Sequence, residues 1–219
     1  MTTLTHNTAT LISKMQAHND AKMLMPGPYH HIGGEMNFIG CLTGGKNDTA
    51  AILKKFGLPE RVTRLAEYFF DCLPTLYEKQ SFAINMTLAV GVDGKNLSRV
   101  WAAFQADTLR NLPSHNSHDV VDPMIALMDR LAGGESEEEL RTELDRAAEA
   151  GLVAWTKRID FDARAAWIAH VAWQRSAVSA VDMACDAWHM RAAWVTEIRR
   201  QRDAFLTLVR DAPIVGNPA

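Results

Sequence analysis

Nothing in this chain approaches the roughly 18 consecutive apolar residues needed to span a bilayer, so no transmembrane helix is expected. Cysteine is scarce. The three present, Cys41, Cys72 and Cys185, form no C-x-x-C pair. An odd count without a spaced framework excludes a disulfide scaffold and fits a reducing compartment. A basic excess is missing too: 23 Lys and Arg stand against 26 Asp and Glu, for a formal charge of −3. A dedicated nucleic-acid binder would carry the opposite balance. Met1–Gln16 has no basic stretch leading into an apolar core, so no secretory signal is expected and the cytoplasm is the expected compartment. Strand patterning is nearly absent. Only Asn85–Val92 invites a strand, and one strand cannot make a sheet.

What the chain has in abundance is helical periodicity. Trp167, Val171, Gln174, Val178, Val181, Cys185, Trp188, Ala192 and Val195 follow an almost unbroken 4-3 register, which places them on one helix face. A second stripe, including Ala166, Ala169, Trp173, Ala180, Trp194, Ile198 and Phe205, lies about 120° round the wheel. A helix apolar on more than half its circumference must be covered from two sides, so the fold class is all-α: a multi-helix bundle around a long C-terminal helix or helical hairpin. As one rod, 161–211 would be about 75 Å long, against about 45 Å for the diameter of a compact domain of this size. A break around Ser176–Ser179 resolves the mismatch. The tetrapeptide RAAW recurs at Arg164–Trp167 and Arg191–Trp194, as two similar helices of a hairpin would have it.

A single domain is expected, in three stretches. Residues 1–47 hold a helix capped by Thr8, then an irregular loop over 21–47 broken by Pro26, Pro28 and several glycines. Residues 48–134 hold short helices. Asp48 caps one that Gly57 stops, and Pro59 opens the next, whose inner face is Val62, Leu65, Phe69 and Cys72. A third spans 76–90, and Gly91–Gly94 is a turn. Asn96 caps a fourth, Pro113–Asp122 is polar loop, and a fifth opens at Pro123. Residues 135–211 hold the long helices, with Ser136 and Glu139 forming a capping box and Gly151 ending the acidic helix.

Several groupings have the residue types of chemistry. Gly40–Asn47 is nearly a phosphate-cradling loop, but Asn47 replaces the hydroxyl that would hold Mg²⁺ and no buried strand precedes it. The dyad His118-Asp119, with His115 and Asp122, resembles the metal ligands of HD-type phosphohydrolases but follows a polar loop, not an apolar helix. Asp186-x-x-His189, near Asp182 and His170, has di-metal bundle spacing without its second copy. His30, His31, Glu35 and Cys41 are zinc-compatible ligand types in a glycine-rich loop, and this is the first place to expect a ligand contact. No cofactor is implied. For a partner surface, Trp173 and Trp194 are the aromatic anchors, flanked by Arg199 and Arg202 in the basic stretch 191–210.

The central blocks resemble a family of bacterial and phage α-helical proteins. They are Gly40-Cys41; Gly57-Leu58-Pro59 through Leu65, Phe69 and Leu73; Ala89-Val90-Gly91-Val92-Asp93 with Leu97, Val100-Trp101 and Phe104; and the Ala/Trp tail from Ala163. The likeness spans about residues 37–211 and departs from the pattern at Asp71-Cys72 and Asp93-Gly94. It implies an accessory gene, often mobile, and no catalytic residues. The expected function is therefore a non-enzymatic binding protein that inhibits or sequesters a host protein or small signal molecule. The alternatives are an HD-type metal-dependent phosphohydrolase and a structural homo-oligomer paired through the long helix.

Overall fold

Helix start and stop signals account for most of the architecture. The computed structural model describes residues 4–27, 33–113, 116–158, 160–174 and 191–215. These residues form ten helices and no strand, an all-α fold. Among them no helix is long and apolar enough to cross a membrane. Contacts divide the chain into two compact units: Met1–Ser98 with Phe205–Ala219, and Arg99–Ala204.

The first unit contains α1 (Thr8–Asp20), α2 (Phe38–Thr43), α3 (Thr49–Phe56), α4 (Glu60–Cys72) and α5 (Leu76–Val90), together with the end of α10 (Arg191–Asp211). Its core is aromatic. The Phe69 ring lies 5.5 Å from that of Phe205, 5.8 Å from Phe82 and 5.7 Å from Tyr68, and each buried Phe contributes on the order of 1.5–3 kcal/mol. Asp48 caps α3 through the Ala51 N–H (2.8 Å), and Gly57 ends it in the left-handed region at φ 70°. A Cβ on Gly57 would lie 2.1 Å from the Leu4 carbonyl oxygen, so backbone approach also requires glycine there.

Several expectations for this unit are corrected. The glycine-rich stretch 21–47 contains a helix, α2, because the Asn37 side chain accepts the Gly40 N–H at 2.8 Å and Gly44 closes the other end at φ 74°. Thr8 is the first helical residue, not the cap. Its N–H and hydroxyl both donate to Asp93 Oδ1, at 2.9 and 2.7 Å, so a carboxylate 85 residues away caps α1. Pro59 precedes α4 by one residue. Asn85–Val92 is no strand, since α5 runs to Val90.

The second unit contains α6 (Val100–Arg110), α7 (His118–Gly133), α8 (Glu137–Lys157), α9 (Asp160–Gln174) and the first part of α10. The capping box of α8 is present: Glu139 N–H donates to Ser136 Oγ (3.1 Å), and Ser136 N–H donates to Glu139 Oε2 (3.3 Å). Asn96 does not cap α6, which starts four residues later; its side chain instead accepts from Ser98 N–H and Oγ. The expected loop 113–122 ends early, because α7 begins at His118 and carries Pro123 inside it. Gly151 does not end α8, which continues to Lys157. It is buried where α8 meets α9, and a Cβ there would sit 2.8 Å from the Ala166 carbonyl oxygen and 3.0 Å from the His170 nitrogen. Of the long apolar register, Ala166, Ala169 and Val171 are buried. Its continuation through Val178, Val181, Cys185 and Trp188, and the break expected at Ser176–Ser179, lie outside the described residues.

Two outcomes follow. In an open helix Gly151→Ala would stabilise by about 1 kcal/mol. Here it is expected to destabilise by about 1–3 kcal/mol, the usual cost of overpacking, as read by urea denaturation. The Thr8 N–H and hydroxyl hold the Asp93 carboxyl below its ordinary range, so its contribution is complete above the unfolded value near 4 and is lost as pH falls through the folded value. The stability gap between wild type and Asp93→Asn is expected to be constant at neutral pH and to shrink on acidification below about pH 4; a gap independent of pH would contradict the cap.

Candidate functional site

Among the described residues, several side chains that sequence patterning singled out are engaged by the fold. Cys41 is fully buried in α2, its thiol directed at the Met36 carbonyl (3.6 Å), and burial pushes its pKa up to about 12. A thiol so held is protonated at neutral pH and is a poor nucleophile or metal ligand. Glu35 is half-buried. His30 and His31 lie outside the described residues, as do Asp182, Asp186, His189 and His115. In the near-phosphate loop, the N–H groups of Gly44 and Gly45 both donate to the Gly40 carbonyl at 2.9 Å. They end α2 and leave no cradle of free donors.

The His118-Asp119 pair sits in the exposed first turn of α7. His118 Nδ1 lies 3.4 Å from Asp122, while both Asp119 oxygens accept from one nitrogen of Arg158, at 2.6 and 2.8 Å. Among the described residues no three His, Cys, Asp or Glu side chains are grouped to share a metal ion.

The expected partner residues are divided. Trp173 is half-buried, donates from Nε1 to Asp145 Oδ1 (2.7 Å), stacks on Trp101 at 6.5 Å and lies under the Arg141 guanidinium. It is a packing residue of the second unit. Trp194 and Arg202 are half-buried, the latter bonded to Asp203 at 2.8 Å, and Arg199 is exposed. His170 is tied to the Ala148 carbonyl at 2.8 Å and lies against Trp167, whose ring centroid is 4.6 Å from that of the partly exposed Trp155. On α10, Glu197 is buried with Gln201 and bonded by Arg200, which also reaches Asp107 at 2.7 Å. Burial opposes the Arg200 charge, and the bonds to Glu197 and Asp107 outweigh it and raise its pKa. That cluster is a closed ion-pair network.

The groove between α7 and α8 is different in kind. It encloses about 370 Å³, within the range of small-ligand pockets. One face is built from a helical stripe of α7 (Val120, Pro123, Ala126, Leu127) and the other from Ala147 and Ala150 of α8. Four charged side chains stand at its rim, and three of them are engaged in ion pairs within the protein. Asp119 is held by Arg158; Arg130 is bonded to Glu135 (2.8 Å) and to Glu143 (2.7 Å), which raises its pKa. The fourth, Arg146, is exposed and makes no ion pair with any described residue. The result is an apolar slot whose rim charges sum to zero with Arg158 and Glu135 included, and at which Arg146 is the one charged side chain without an ion pair among the described residues. Patterning missed it because its small residues carry no chemical signature and Arg146 resembles any solvated position of an acidic helix.

No family model, no curated protein and no solved structure matches the chain.

The Cys41 assignment has a direct check. Iodoacetamide at pH 8 is expected to leave Cys41 unmodified in the native protein and to alkylate it fully in guanidinium, as read by peptide mass spectrometry; rapid native labelling would show an accessible thiolate.

Proposed function

We propose that the protein acts by binding and not by catalysis, sequestering a small molecule that joins an apolar body to a single negative charge in the α7–α8 groove. The observation that carries this reading is the charge accounting at the rim. Asp119, Arg130 and Glu143 are engaged in ion pairs within the protein, so Arg146 is the rim side chain whose charge is not already bound by a partner among the described residues. Apolar contact along the Val120–Leu127 stripe supplies affinity, and the guanidinium selects an anionic head. This is the small-molecule form of the sequestering role expected from the sequence, and the family likeness adds only an accessory context. A mobile, phage-type gene and a cytoplasmic setting belong to the same proposal.

The competing phosphohydrolase would need the His118-Asp119 dyad for metal. The Arg158 guanidinium, bound to both Asp119 oxygens, works against that use because a cation would have to displace it.

The test uses 1-anilinonaphthalene-8-sulfonate, an apolar naphthalene and phenyl body with one fixed negative charge, titrated by fluorescence against the folded protein. Arg146→Gln is expected to weaken binding about 5- to 10-fold, the value of one charge-assisted hydrogen bond at a partly exposed site. Ala147→Phe, which fills the slot from a half-exposed position, is expected to abolish it. Binding unchanged in either variant would overturn the assignment.

A further inference from the structure

The groove between α1 and α5 of the first unit is built from amides, a hydroxyl and one aromatic ring. It encloses about 280 Å³, and no charged side chain lines it. That size is just below the range of drug-sized pockets. Gln16 and Asn19 stand one turn apart on α1. From α5 come Tyr77, Gln80, Ser81, Ile84 and Asn85, which follow one another at three- and four-residue steps and so share a face.

The fold fixes which atoms these side chains present. Gln16 Nε2 donates to Asp20 Oδ1 at 2.7 Å, and Gln80 Nε2 donates to the Leu24 carbonyl at 3.2 Å. An ionised carboxylate and a backbone carbonyl can only accept, so the nitrogen of each amide must be the end that faces them. Asn85 Nδ2 donates to Ser81 Oγ at 3.3 Å, which leaves the Ser81 proton to donate elsewhere. Three amides are anchored by nitrogen, and their oxygens remain as acceptors with no partner among the described residues. Beside them the Asn19 side chain and the Tyr77 hydroxyl make no hydrogen bond among the described residues. The Tyr77 residue is 79% exposed.

We propose that this groove binds a neutral carbohydrate, one sugar ring lying on Tyr77 while its hydroxyls donate to the Gln16, Gln80 and Asn85 oxygens. The lining works against the alternatives in turn. An anion would need a cation in the wall, and an ammonium would bring a full charge to a wall with no carboxylate to balance it. An apolar ligand would strip water from the amide oxygens and leave each acceptor unsatisfied, which is costly. What fits is an uncharged molecule, rich in O–H donors, that also has an apolar face. A pyranose has both. Every hydroxyl donates and accepts, and the C–H bonds on one side of the ring present weak positive charge to the negative face of an aromatic ring. Ile84 extends the apolar contact. The anchored amides are held in place before the ligand arrives, which lowers the ordering cost of binding. This site lies in the first unit and is independent of the α7–α8 groove.

Saturation-transfer difference NMR of the full chain tests this with the methyl glycosides of glucose, galactose, mannose and N-acetylglucosamine. At least one is expected to bind with a dissociation constant on the order of millimolar, as one ring on an open groove allows. The C–H protons of one ring face are expected to saturate more strongly than those of the other. Tyr77→Ala is expected to weaken binding about 10-fold and Asn19→Leu about 3- to 5-fold, the values of a ring contact and of one hydrogen bond. Both are expected to keep the wild-type circular dichroism, because Tyr77 is exposed and the Asn19 side chain is not bonded within the described fold. Tyr77→Phe, which retains the ring, is expected to bind within about 3-fold of wild type. No saturation from any of the four glycosides at about 50 mM, far above the expected dissociation constant, would overturn the proposal. So would binding that Tyr77→Ala leaves unchanged, which would place the sugar elsewhere. Glucosamine or glucuronate binding more tightly than methyl glucoside would overturn it too, by revealing an ionic site.

Discussion

A single buried ammonium holds the first unit together. Lys95 is 6% exposed, and its Nζ donates to three backbone carbonyls: Ala89 at 2.7 Å in the last turn of α5, and Val209 and Arg210 at 3.2 and 2.6 Å in the last turn of α10. Helix C-termini carry partial negative charge and unsatisfied carbonyls, so one cation serves two helix ends. Burial lowers the Lys95 pKa, and the three carbonyls replace the water that burial removes. The backbone on either side does the rest. Thr5 and Lys95 exchange bonds at 2.9 and 2.8 Å, Gly94 N–H donates to the Thr5 carbonyl, Asn96 N–H to the Pro213 carbonyl and Val215 N–H to the Gly94 carbonyl. With Asp93 capping α1, the five residues Val92–Asn96 tie the start of the chain, α5 and the C-terminal segment together.

The second unit is organised by close approach. α8 and α9 come together at Gly151, where the missing Cβ lets the Ala166 carbonyl and the His170 backbone lie against the facing helix. Around that point the aromatic residues of α9 find neighbours: Trp167 with Trp155 and His170, Trp173 with Trp101 and Asp145. The helix ends are tied by arginines. Arg158 anchors the first turn of α7 through Asp119, and Arg130 links the end of α7 to the start of α8 through Glu135 and Glu143. These pairs are solvent-facing and individually weak. Their consequence is selective engagement, which leaves Arg146 as the groove's one charged side chain without an ion pair among the described residues.

Two surfaces therefore differ in character. The α7–α8 groove is concave and lined by apolar side chains, with Arg146 as its one rim charge without an ion pair among the described residues. The outer stripe of α5 is neutral and lines a shallow groove against α1. Of the His, Cys and Asp residues that stood out in the sequence, only Asp119 is among the described residues lining either surface. Among the described residues, Cys41 sits inside α2, Asp119 is bound by Arg158, and Asp48 and Asp93 stand at helix N-termini.

The sequence by itself determined the class of fold and the local punctuation of its helices, because these depend on neighbours within a turn or two. The 3.6-residue periodicity requires helices, the Ser136–Glu139 box and the Asp48 cap are local hydrogen bonds, and the limits of α5 at 76 and 90 come from local signals. What only the tertiary structure decided are the features whose partner is far along the chain. Gly151 has the look of a helix stop and is a contact point, because Ala166 and His170 arrive against it. Asp93 has the look of a turn residue and is the cap of α1, because Thr8 is brought to it from 85 positions away. The Arg146 side chain without an ion pair and the unpartnered amide oxygens between α1 and α5 are known only once every other described side chain has found its neighbour.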